Sequence, residues 1–151
     1  MSSTGLSAQL EDYIEAIGEA CRAAGVARVT EIATRMEVTN PSVVRALRAL
    51  KREGLVEQER YGFVRLTGDG ERVAGSVQER HEVLADFLES VLGLDAATAT
   101  EDACRMEHAI SSETCERLRA VIAFTQSPTR GPDWRRAFNR FYARRARRTS
   151  A

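Results

Sequence analysis

The sequence predicts a mostly α-helical protein in which an N-terminal winged helix-turn-helix is followed by an α-helical domain. Three observations carry this. Apolar residues recur at helical spacing through residues 7–24, 68–93 and 113–125. A short Thr-capped helix is followed at once by a Pro-started, basic one. The stretch 55–67 reads instead as two short strands around a turn. At 151 residues the chain fits one ordinary domain, or two small ones sharing a core, and needs no disulfide staples.

In chain order, Ser7 is a natural N-cap for a helix over 7–24, with Leu10, Tyr13, Ile14, Ile17 and Cys21 on its apolar face and Gly25 as its stop. Asp12 and Glu15 stand at i, i+3 on it and can converge on one ligand. Equally, they are acids near a helix N-terminus, where the dipole favours them. Thr30 caps a short helix, Glu31–Glu37, and Val38-Thr39-Asn40 makes a turn. Asn40 caps a second helix with Pro41 in its first position, running to about Glu53 with Val43, Val44, Leu47 and Leu50 inward. Its outer positions are Thr39, Ser42, Arg45, Arg48, Ala49 and Arg52. That pair of helices is a helix-turn-helix pattern, and Arg45 and Arg48 are one turn apart, suited to base edges or phosphates.

Leu55–Thr67 follows as a hairpin turning at Tyr61-Gly62, with Arg60 near the turn and Arg65 on the second strand. A hairpin directly after a recognition helix is a wing. A basic protein–protein module would share the helices, but the full series of signals from Thr30 to Thr67 favours DNA. Residues 68–93 read as one long helix closed by Gly93, with His81 at its middle. A further helix spans 96–109, and Ser111 or Ser112 caps another over Glu113–Thr125. These helices carry more apolar faces than one small bundle needs, and the surplus suits a dimer interface that would read two half-sites. In the tail, Trp134, Phe138, Phe141 and Tyr142 recur among arginines. It suits an amphipathic helix docked on the body, an added phosphate-neutralising arm, or a membrane-surface segment.

Net charge is zero, but unevenly distributed. Residues 26–66 carry eight Lys/Arg against five acids, and residues 130–151 carry eight Arg against one Asp. Residues 67–129 carry five Arg against twelve acids. The basic parts suit phosphate, the acidic part a cation or a partner protein. Hydrophobic residues make up 43% of the chain, but no apolar run approaches the ~18 residues of a membrane span. With no visible signal peptide and an odd set of cysteines (Cys21, Cys104, Cys115), a reduced, cytoplasmic protein is expected.

Ala103-Cys104-Arg105-Met106-Glu107-His108 carries the chemistry. On a helix, Cys104, Glu107 and His108 would share a face, offering a thiol, a carboxylate and an imidazole to a transition metal. Alternatively Cys104 packs as a small hydrophobe while Glu107 and His108 pair at the surface. A hydrolase using Glu107 as base would need an open coordination position and a substrate pocket. The sequence shows neither a phosphate-cradling Gly-rich loop nor a zinc-protease motif, so no enzyme and no small-molecule substrate are expected.

Glu11–Ile17, the Thr30–Val56 helix-turn-helix, Arg80-His81, and Asp102–His108 with Ile110-Ser111 together resemble the metal-dependent repressors of the diphtheria toxin repressor and manganese transport regulator (DtxR/MntR) family. The resemblance covers about residues 6–126, in its short two-domain form. It implies a cytoplasmic homodimer that binds palindromic double-stranded operators when loaded with Mn²⁺ or Fe²⁺, and represses metal-uptake genes. It also implies a winged helix over 1–70, a helical metal-binding and dimerisation domain over 71–127, and a basic aromatic tail over 128–151.

Residue by residue, the resemblance assigns Asp12, Glu15, His81, Glu107 and His108 as ligands of the manganese-type site. Cys104 stands where that type has glutamate, as in the iron-type motif. Asp12 departs from the iron type, which has methionine there. The iron-type ancillary site uses a Glu and a His at positions that here are Ala85 and Thr100, so it is expected to be absent as such. Oxygen ligands suit Mn²⁺, while thiolate shifts preference toward Fe²⁺, Co²⁺ or Zn²⁺, the last two serving in vitro. On the DNA side it points to Thr39, Pro41, Ser42 and Arg45, to which Arg48 and Arg60 are added as basic contacts. The rival regulator reading is a winged-helix protein that senses redox state through Cys104 instead of metal.

Overall fold

The computed structural model describes residues 5–59, 62–127 and 134–149. Its elements are α1 (Ala8–Ala24), β1 (Ala27–Arg28), α2 (Val29–Arg35), α3 (Asn40–Arg52), β2 (Val56–Gln58), β3 (Phe63–Leu66), α4 (Gly68–Asp86), a π-helical segment (Phe87–Val91), α5 (Ala96–Met106), α6 (Ser112–Gln126) and α7 (Trp134–Thr149). Two compact units result: Met1–Arg80 with Glu107–Ile110, and His81–Met106 with Ser111–Ala151. In the first unit, α4 as far as Arg80 and the turn at 107–110 go with the winged helix. Among the described residues no helix is long and apolar enough to cross a membrane.

In the first unit, the Ser7 hydroxyl accepts from the Leu10 N–H, and Gly25 ends α1 at φ 78°, a left-handed conformation that glycine adopts without strain. The inner face of α1, Tyr13, Ile14, Ile17 and Ala20, packs on α2, α3 and the sheet. The expected Thr30 cap is displaced: the Glu31 carboxylate accepts from the Arg28 N–H at 3.2 Å, and α2 already starts at Val29. Its end comes earlier too. Glu37 is left-handed at φ 54°, with Val38 N–H bonded to Ala33 O at 3.0 Å and Glu37 N–H to Thr34 O at 3.3 Å. That is a Schellman turn, and it sets the direction of α3. Thr39, not Asn40, is the N-cap of α3, placing Pro41 second in the helix.

Val43, Ala46, Leu47 and Leu50 turn α3 inward and leave Arg45, Arg48, Lys51 and Arg52 exposed. The sheet order is β1-β3-β2, antiparallel throughout. The wing pairs Val56 with Leu66 and Gln58 with Val64. β1, unforeseen from the sequence, pairs Ala27 with Val64, and the Arg28 guanidinium lies 5.2 Å from the centre of the Phe63 ring. Two residues are too few to display an alternating pattern. Where α4 begins, a Cβ on Gly70 would lie 2.0 Å from the Leu55 carbonyl oxygen, so only glycine permits this approach.

In the second unit, the expected single helix over 68–93 passes instead into a π-helical segment at Phe87. The Leu92 N–H bonds to Phe87 O, five residues back, at 3.2 Å. A π-turn keeps the helix axis and inserts one residue, so apolar spacing hardly reveals it. α5 starts on Asp95, whose carboxylate accepts from the Thr98 N–H (3.0 Å) and hydroxyl (2.7 Å). These bonds, the N–H first, hold its carboxyl below the usual carboxylate range. α5 and α6 pack on the π-helical segment, burying Leu88, Val91, Ala99, Ala103, Cys115 and Ile122. Leu92, Val121, Phe124 and Phe141 stay exposed. The tail does contain a helix, and the Trp134 indole N–H donates to Thr125 O at 3.2 Å.

Candidate metal centre and nucleic-acid interface

α5 ends at Met106, so Glu107 and His108 lie in the turn beyond it and not on a helical face shared with Cys104. That corrects the expectation of a helix to residue 109. The turn belongs to the first unit, and there it meets α1. Ligand atoms of Asp12, Glu107 and His108 all lie within 4.8 Å of one another. Two ligands each about 2.1 Å from one ion are at most about 4.2 Å apart, so the group has about the span that a single cation needs. Glu107 is fully buried, His108 nearly so, and Asp12 reaches solvent.

Both nitrogens of the His108 imidazole face carboxylates. Nδ1 lies 2.7 Å from Glu11 Oε2, while Nε2 lies 2.7 Å from Asp12 Oδ1 and 3.3 Å from Glu107 Oε1. Although Nε2 is buried, it meets no acceptor in hydrogen-bond alignment. A buried nitrogen facing two carboxylate oxygens without a bond to either is where a bound cation fits. Burial is the largest single influence on His108 and lowers its pKa. The Glu11 hydrogen bond and the charges of Asp12, Glu107 and Glu11 together outweigh it, and the net shift is upward.

The group excludes three of the expected ligands. Glu15 is half-buried on α1, one turn beyond Asp12, but is not in the three-residue group. His81, half-buried on α4, and Cys104, exposed on α5, fall in the second unit. Two residues not foreseen for the site also surround it. Glu11 is 0% exposed and Arg80 3%, and the Arg80 guanidinium donates to Glu11 Oε2 at 3.1 Å and to Glu107 O at 2.8 Å. A signal was available. Glu11 stands three residues before Ile14, and Arg80 three after Val77 and four before Leu84, each inside an apolar stripe. A charge in such a stripe marks a buried pair.

On α3, Thr39, Pro41, Arg45 and Arg48 are exposed and Ser42 is half-buried, its hydroxyl 3.0 Å from that of Thr39. With Lys51 and Arg52 they form a basic, polar face clear of the core. At the wing, Arg65 pairs with Glu59 at 2.8 Å; Arg60 lies outside the described residues.

Residues 5–64 match the family described as iron dependent repressor, N-terminal DNA binding domain, and residues 67–135 match iron dependent repressor, metal binding and dimerisation domain. The chain is 38% identical over 117 residues to the transcriptional regulator MntR of Escherichia coli O6:H1, covering 78% of this chain and 73% of that one. The structure of the manganese regulator SloR is similar at TM-score 0.68 and 29% identity, over 76% of this chain and 54% of that one. The crystal structure of T. acidophilum IdeR is similar at TM-score 0.68 and 26% identity, over 75% and 53%. The chain thus spans about half the length of those two solved proteins.

Proposed function

The chain belongs to the iron-dependent repressor (DtxR/MntR) family, and from that premise we propose that it is a metal-responsive, DNA-binding transcriptional repressor of metal-ion homeostasis. Mn²⁺ or Fe²⁺ activates it for operator binding. It acts as a cytoplasmic homodimer on a palindromic operator, and it is a regulator, not an enzyme. One observation supports this most: Asp12, Glu107 and His108 converge in the same compact unit as the recognition helix α3, and α1, which carries Asp12, packs on α3.

When bound, a divalent cation supplies the positive charge that this group of two carboxylates and an imidazole lacks. Asp12 offers an oxygen from α1, and Glu107 and His108 offer an oxygen and a nitrogen from the turn after α5. Glu15, His81 and Cys104 complete the proposed ligand set, following the order and spacing of the family's segments. Holding Asp12 to residues 107–108 restrains α1 and, through its packing, α3. In the dimer the two α3 helices then keep the separation of successive major grooves, with Arg45 at base edges and Thr39, Pro41, Ser42, Arg48 and Arg60 in contact with the duplex. The proposed functional division is winged helix over 1–70, metal-binding and dimerisation domain over 71–127, and tail over 128–151. Redox sensing through Cys104 finds no support among the relatives.

The test is DNA binding at fixed salt, under anaerobic conditions, against a panel of divalent metals. A selected DNA site should be bound about 5- to 150-fold more tightly with Mn²⁺ or Fe²⁺ than without metal. Equal affinity across the panel and in chelator would contradict the reading.

A further inference from the structure

The two most deeply buried charged side chains beside the ligand group are not themselves in it. Glu11 and Arg80 are almost wholly removed from water, where a charge persists only when paired and hydrogen-bonded. One oxygen, Glu11 Oε2, serves both the Arg80 guanidinium at 3.1 Å and His108 Nδ1 at 2.7 Å. The same guanidinium donates through Nε to the main-chain oxygen of Glu107 at 2.8 Å and through Nη1 to Ser76 Oγ, one turn back on α4, at 3.0 Å. Three segments are therefore fastened at one point: α1, α4 and the turn that carries two ligands.

We propose that Glu11 and Arg80 are the positioning residues of the metal centre. Glu11 fixes His108 as the Nδ1–H tautomer, with the Nε2 lone pair turned toward Asp12 and Glu107. Arg80 holds Glu11 and the Glu107 main chain in place whether or not a metal is bound. The inference rests on the metal-centre reading above.

Chemistry favours a geometric role over a stabilising one. An apolar trio of similar volume would hold these segments about as well as a buried ion pair, without its desolvation cost. An apolar trio could not choose a tautomer. In neutral imidazole only one nitrogen is an acceptor, and the partner of the other nitrogen decides which. A carboxylate at Nδ1 makes Nδ1 the donor and leaves Nε2 as the ligand. The link between α1 and the 107–108 turn also exists without metal, through Glu11 and Arg80. What remains for the metal is to bind Asp12, already 2.7 Å from His108 Nε2, together with Glu107 and His108.

The full chain is compared with Glu11→Leu, which removes the acceptor, and Glu11→Gln, which keeps an oxygen there but no charge. Mn²⁺ affinity is measured by calorimetry, and the imidazole tautomer by nitrogen-15 NMR of the metal-free protein with the ring neutral. Only two histidines contribute signals. Wild type should show Nδ1–H at His108. Glu11→Leu should shift it toward Nε2–H and weaken Mn²⁺ about 10- to 100-fold. Glu11→Gln should keep the tautomer and recover most of that affinity. An Nε2–H tautomer in wild type overturns the proposal even if Glu11→Leu does not fold. So does Mn²⁺ affinity in Glu11→Leu within about twofold of wild type. Failure of the wild type itself to bind Mn²⁺ or any other divalent metal would remove the metal-centre reading, and this inference with it.

Discussion

A neutral imidazole at position 108 turns the Nε2 lone pair toward two carboxylate oxygens, at 2.7 and 3.3 Å. A proton on Nε2 relieves that repulsion, and so does a metal cation. The two compete for one place, and the carboxylates there add to the Glu11 hydrogen bond at Nδ1 in raising the His108 pKa against the effect of burial. Metal requires the deprotonated ring, so Mn²⁺ affinity should fall as pH is lowered through that raised value, by up to about tenfold per pH unit. Calorimetry in buffers of different ionisation enthalpy should find a proton released on binding in this range. Folding without metal runs the other way. The stabilisation from a charged His108 is complete below its ordinary value of 6.5 and is lost as pH rises through the higher folded value. Asp12, Glu107 and His108 could be picked out from the sequence as candidate ligands because ligand chemistry depends on residue type. Glu11 and Arg80 escaped because their role depends on what they face, and only the fold brings residues 11, 80 and 108 together.

At the scale of elements, α3 divides its residues cleanly between the core and an exposed basic face. In the proposed docking Arg45 reads base edges, whereas Lys51, a turn and a half further on, contacts phosphate; both are exposed on α3. Arg45→Ala should cost about 1–3 kcal/mol at the preferred site and relax specificity there. Lys51→Ala should weaken all DNA sequences alike and reduce the slope of log affinity against log salt by about one. Competition binding across a salt series distinguishes the two. Gly70 tests the joint between the hairpin and α4. With its Cβ position 2.0 Å from Leu55 O, Gly70→Ala should destabilise the chain by about 1–3 kcal/mol, read as a lower denaturant midpoint with an unchanged slope. Most elements were legible because their caps are local signals: Ser7, Gly25, Gly93 and Ser111 all act where expected. The misses have tertiary causes. β1 exists because β3 offers an edge to pair with, and α5 stops at Met106, where Arg80 claims the Glu107 carbonyl.

For the whole molecule, the compact units show why the metal group and the DNA-reading helix belong to one argument. Residues 107–110 leave the helical half of the sequence and pack with the winged helix, so a candidate ligand pair distant in sequence lies beside Asp12. The apolar residues left exposed on the second unit, Leu92, Val121, Phe124 and Phe141, suit the dimer that a palindromic site requires. Metal then acts as a shift between populations, worth only as much as its preference for the DNA-competent one, typically ~1–3 kcal/mol. Asp12 is the residue on which this rests, because it is the group's one member on α1 and lies partly exposed, outside the core. The most direct measurement is Mn²⁺-dependent DNA affinity of Asp12→Ala beside wild type, at one salt concentration, with oligomeric state and thermal unfolding recorded on the same samples. Wild type should tighten about 5- to 150-fold with Mn²⁺, while Asp12→Ala stays a folded dimer and does not respond. A folded Asp12→Ala dimer with the full wild-type response to Mn²⁺ would contradict the account.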